Sequence, residues 1–151
     1  IKRKVFKIMK KILLTSGLLI VSASIVMAAG TYSDAYLTHL KDCRVHIEKY
    51  NAEIPTDDPA TPVLHLKSTE SIAGWQNGKC ITKSIVYSEE MKQDILSTQC
   101  AFSEKQLASI IEKVESAQKG NAKDKQALQD ELTKYVQDSS VCKVENLIKA
   151  N

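Results

Sequence analysis

Asn77-Gly78 separates two runs of alternating residues, and it restricts the chain more than any other short stretch. A type I′ turn needs two successive residues at positive φ, which Asn and Gly adopt at low cost. The flanking stretches, ending at Gln76 and beginning at Lys79, are therefore expected to pair as an antiparallel hairpin. With a two-residue loop, Gln76 faces Lys79, and Trp75, the sole tryptophan, faces Cys80 as a close cross-strand pair. Ser88-Glu89-Glu90-Met91 reads as the next turn and MKQDILSTQC as the next strand. A turn centred on Glu90 sets Cys100 opposite Cys80, within reach of a disulfide. The competing reading has Ser88 capping a short helix with Met91 and Ile95 on one face.

Helical signals bracket this strand region. Ser33 can cap a two-turn helix with Asp34 in its first turn and Tyr36, Leu37 and Leu40 on one side. After Cys43 the pattern alternates, with Val45, Ile47 and Lys49 against Arg44, His46 and Glu48; a strand is expected, and a continuous helix to Tyr50 is the alternative. Ala52 to Pro62 holds all three prolines plus Asp57 and Asp58, the composition of a loop. Ser103-Glu104-Lys105-Gln106 is a capping box, followed by a stripe of Leu107, Ile110, Ile111 and Val114. Gly120-Asn121 ends that helix. A second starts near Ala122, with Leu128, Leu132, Tyr135 and Val136 on one face, and Val141 to Leu147 then returns Cys142 to the body. Three or four antiparallel strands packed against two C-terminal amphipathic helices make an α+β, two-layer domain.

The amino-terminal segment reads as an address rather than as part of that domain. Lys10-Lys11 precedes an apolar stretch from Ile12 to Met27, and Val26-Met27-Ala28 offers a cleavage site, so residues 1–28 are expected to be a secretory signal peptide cut after Ala28 or Ala29. A transmembrane anchor is the competing reading. It is weakened by the length of the stretch and by Thr15, Ser16, Gly17, Ser22 and Ser24. Met9 is the expected start, with residues 1–8 read as upstream translation or as a longer charged n-region. Six of the 21 Lys and Arg lie in the first eleven residues, and without residues 1–28 there remain 15 basic against 18 acidic side chains. The formal charge of +3 thus becomes about −3, no basic stripe is left, and a nucleic-acid partner is not expected. The remaining residues, 29–151, are read as a single periplasmic or secreted domain with no membrane span after processing.

Export changes how Cys43, Cys80, Cys100 and Cys142 are read, because an oxidising compartment favours structural disulfides. Four cysteines allow three pairings. The hairpin centred on Glu90 favours Cys80–Cys100, which leaves Cys43–Cys142. Gly74 to Cys80 (GWQNGKC) and Cys100 to Leu107 (CAFSEKQL), with one cysteine before and one after, resemble a group of small exported bacterial proteins. Members carry a Gly-Trp-x-Asn-Gly-Lys-Cys hairpin and a Cys-x-Phe-Ser/Thr-x-x-Gln helix start. The likeness runs from about Cys43 to Cys142. It implies a common sheet-and-helix fold and export, and it carries no activity or catalytic residue with it.

No motif specifies an enzyme: GxSxG, HExxH and a P-loop are absent. Asp57 and Asp58 suit a turn better than an acid/base pair. Lys79 beside Cys80 is a faint hint of a reactive thiol, outweighed by disulfide formation. His39, Cys43 and His46 would share one face of a continuous helix and could hold zinc or copper; a fourth ligand would have to come from elsewhere, and His65 is the only other histidine. Oxidation of Cys43 and a helix end near it argue against that, so no metal or other cofactor is expected. The mixed charges Lys123, Asp124, Lys125, Asp130, Glu131 and Lys134 form a solvated helix face. The expected function is non-catalytic binding of a protein or small ligand in the envelope or medium. The alternatives are an inhibitor of an extracellular or periplasmic hydrolase and, less favoured, a metal-binding protein.

Overall fold

The computed structural model describes residues 32–55, 59–120 and 122–148. The signal-peptide segment and Asp57 and Asp58 lie outside the described residues. In chain order the elements are α1 (Asp34–Lys41), β1 (His46–Pro55), β2 (Val63–Gln76), β3 (Lys79–Ser88), β4 (Gln93–Phe102), α2 (Glu104–Gln118), α3 (Ala122–Gln137) and β5 (Cys142–Asn146). The strands form one antiparallel sheet in the order β1-β2-β3-β4-β5. The three helices of the described residues all contribute to a core on one face of it. The α+β class with disulfides is as expected. The sheet has five strands rather than three or four, and α1 joins the two carboxy-terminal helices. Among the described residues, no helix is long and apolar enough to cross a membrane.

Local chemistry explains where α1 gives way to β1. Ser33 accepts from the Tyr36 amide at the helix start. At the other end the Cys43 amide donates to Leu40 O and the Arg44 amide to His39 O, with Cys43 at φ +48°. This is a Schellman closure with a cysteine in the left-handed position that glycine usually takes. The chain then extends, and the continuous-helix alternative is excluded. The alternation in β1 is present with an unexpected polarity. Val45 and Ile47 are 72% and 63% exposed, whereas His46 and Glu48 face α1 and are mostly covered. Strand β1 also runs through Ala52 to Pro55, so the loop begins later than the proline and aspartate composition implies. It is an edge strand, where a proline's missing N–H interrupts no sheet.

The Asn77-Gly78 hairpin has the expected register, with Gln76 opposite Lys79 and Trp75 opposite Cys80. Both turn residues sit at positive φ, +50° and +73°. A Cβ on Gly78 would meet nothing within 4 Å, so Gly78→Ala changes backbone preference alone. It is expected to lower stability by about 1–2 kcal/mol, measured as a lower urea midpoint with an unchanged slope.

The β3–β4 register differs from expectation. Cys80 lies opposite Phe102, and Cys100 lies opposite Thr82. The turn spans residues 89–92, with Lys92 at φ +53° and Ser88 Oγ accepting from the Met91 amide. Ile95 has no partner between the Val86/Leu96 and Tyr87/Asp94 pairs, so this bulge buries both Ile95 and Leu96. The shift separates Cys80 from Cys100 and overturns the pairing of Cys80 with Cys100 and of Cys43 with Cys142. The disulfides are Cys43–Cys80 and Cys100–Cys142. The first fastens the α1–β1 junction to the hairpin, and the second joins directly opposed residues of β4 and β5.

Helices α2 and α3 match the sequence reading. Ser103 and Gln106 make both capping-box bonds, and Gly120 at φ +110° follows the end of α2.

Candidate functional site

Strand β2 alternates, so Leu64, Leu66, Ser68, Glu70 and Ile72 are all buried on the helix-facing side. Three of these suit an apolar interior; Ser68 and Glu70 do not, and Glu70 suits it least because an ionised carboxylate loses hydration there. The sheet register places Glu48 and Ser84 opposite Glu70 on the two neighbouring strands, and Thr98 opposite Ser84. A polar band therefore crosses the middle of an otherwise apolar sheet face. It separates a core at the helix-covered end from a second cluster built on Leu64, Leu66, Val86, Ile95 and Leu96.

Above this band lies a cavity of about 80 Å³. Its floor includes Glu70, Thr82, Ser84 and Thr98. Leu107 and Ile110 of α2 and Leu132, Tyr135 and Val136 of α3 supply the opposite wall. Tyr32 and Tyr36, stacked with centroids 4.8 Å apart, close one side. The space exceeds what a single water needs, and its lining combines apolar surface with a few convergent polar groups, as ligand pockets do.

Two polar groups in the cavity are incompletely used. Glu70 Oε1 accepts from the hydroxyls of both Ser68 and Ser84, whereas Oε2 takes no hydrogen bond among the described residues. Thr98 Oγ1 is buried with no partner among the described residues. Burial pushes the Glu70 carboxyl above the usual carboxylate range, and the two serine hydroxyls offset this only in part. Burial, followed by the nearby Glu70 charge, likewise raises Tyr32.

The raised carboxyl has a consequence for stability. Between its unfolded and folded pKa values the native state binds more protons, so the Glu70 contribution is lost as pH rises. Glu70→Gln imitates the protonated acid. It is expected to melt above the parent protein on the alkaline side of neutrality and to lose that advantage below the ordinary carboxylate range. A melting difference of the opposite sign at alkaline pH would count against a buried, unpaired carboxyl.

Beside the cavity, Glu48 is held differently. Partial burial pushes it up, but hydrogen bonds from Ser33, Tyr50 and His46 outweigh this and leave it below the usual range. The imidazoles of His39 and His46 stack at 4.2 Å with planes 13° apart. Stacked rings direct their nitrogens in parallel rather than toward one ion. His39 Nδ1 lies 2.7 Å from Ala35 O, and Cys43 is in a disulfide. His65 stands elsewhere, against Glu90 in the β3–β4 turn. The structure brings His39 and His46 together without the Cys43 thiolate or His65. Lys79 has no free thiol beside it, because Cys80 is bridged.

Sequence reasoning missed Glu70 and Thr98. The available signal was a lone carboxylate on the same alternating phase as Leu64, Leu66 and Ile72. No protein-family model, curated protein sequence or solved structure matches the chain.

Proposed function

We propose that this is a small exported binding protein that holds a small ligand, without transforming it, in the cavity between its sheet and helices. The observation that carries the reading is a cavity with apolar walls lined by both a half-satisfied Glu70 and a Thr98 hydroxyl that has no partner among the described residues. Buried polar groups without partners cost stability, and a ligand that satisfies them recovers that cost. The two disulfides and the expected leader favour a periplasmic or secreted location. The resemblance to small exported four-cysteine bacterial proteins points the same way.

A fragment screen read by methyl NMR tests this. Ligands should move the Ile110 and Leu132 methyl signals, remain chemically unchanged, and lose their effect in Thr98→Leu, which fills the cavity. Fragments that leave both methyls unmoved, or that are consumed, would overturn it.

A further inference from the structure

The lining of the cavity narrows the chemistry of what can enter. Among the described residues no Lys, Arg or His lines it, so an anionic ligand would meet Glu70 with no compensating cation there. Glu70 Oε2 and Thr98 Oγ1 can both accept a hydrogen bond, and Ser68 and Ser84 already commit their hydroxyls to Oε1. The walls add the stacked pair Tyr32 and Tyr36, aromatic rings whose quadrupole favours a cation over an anion nearby. Leu107, Ile110 and Leu132 offer apolar surface for a hydrocarbon body.

We infer that the cavity selects small primary amines, with the ammonium group placed between Glu70 and Thr98 and an alkyl or aryl body against α2 and α3. This deepens the reading that the cavity is the ligand site and rests on it. The ammonium donates to Oε2 and Oγ1, two acceptors with no other partner among the described residues. Where Glu70 is protonated before binding, its proton passes to the buffer as the ammonium takes its place. Affinity therefore declines as pH falls and the carboxyl becomes protonated.

Benzylamine, benzyl alcohol and benzoate, titrated by calorimetry and followed at the Ile110 and Leu132 methyls, provide the test. Benzylamine is expected to bind about tenfold or more tightly than benzyl alcohol, the ratio a charged hydrogen bond supplies, and benzoate not to bind. Glu70→Gln should lower amine affinity by about tenfold or more and change alcohol affinity far less, so that most of the amine preference is lost. The heat of amine binding should vary with the ionisation enthalpy of the buffer. If the alcohol or benzoate binds as well as the amine, or Glu70→Gln leaves the ratio intact, the amine assignment fails and the cavity site survives. If none of the three probes moves the methyls, both fail.

Discussion

Replacing Cys43 and Cys80 together with alanine should lower the free energy of unfolding by about 4 kcal/mol. That is the chain-entropy value for a loop of this size, whose cysteines are 37 residues apart. The Cys100–Cys142 bridge, with a separation of 42, has nearly the same expected worth. Taken as independent, the two amount to about 8 kcal/mol, against a total of roughly 5–15 kcal/mol for a natural domain. One bridge should therefore suffice for a folded protein with a lower midpoint, while full reduction should leave most of the chain unfolded at physiological temperature. Denaturant titrations of the parent, each double variant and the reduced protein check this. Equal midpoints throughout would mean that the bridges report the fold without supporting it. Position 43 adds a refinement. Its residue occupies the left-handed region, so Cys43→Gly with Cys80→Ala should be more stable than the double alanine variant by about 1 kcal/mol.

The second large effect concerns Leu128, the one fully enclosed residue of α3, which is 2% exposed. Truncating such a leucine costs about 2–5 kcal/mol, depending on how far the surroundings collapse. Here the surroundings are a helix held otherwise by partly buried Leu132, Tyr135 and Val136. Leu128→Ala should therefore loosen α3 before the sheet, with faster amide exchange in residues 122–137 than in β2 or β3. Because Leu132, Tyr135 and Val136 line the cavity, the same variant should lose ligand affinity. Unchanged protection of α3 would show that the edge-on contact of Tyr135 with Phe102, at 5.7 Å, and its neighbours suffice to hold it.

What the sequence revealed follows from the range of the forces involved. The Trp75–Cys80 pairing was legible because two residues of turn chemistry determine it. The capping box at Ser103 and Gln106 was legible for the same reason, being closed within four residues. The β3–β4 register was not. Residues 89–92 are Glu, Glu, Met and Lys, none of which advertises positive φ, and the bulge at Ile95 arises because two adjacent apolar side chains both gain from burial. That displacement alone changed the predicted disulfides. Glu70 was overlooked because a carboxylate in a strand is usually solvated. Its burial depends on helices that arrive more than thirty residues later.

The order of the cysteines also matters for how the molecule matures. Each bridge joins a cysteine to the next one along the chain, first with second and third with fourth. An oxidant that couples every thiol to its successor as a polypeptide emerges, amino end first, generates the native connectivity directly. Such a product needs no isomerase to reshuffle mispaired sulfurs, and its first covalent link can close before the helical hairpin has been delivered.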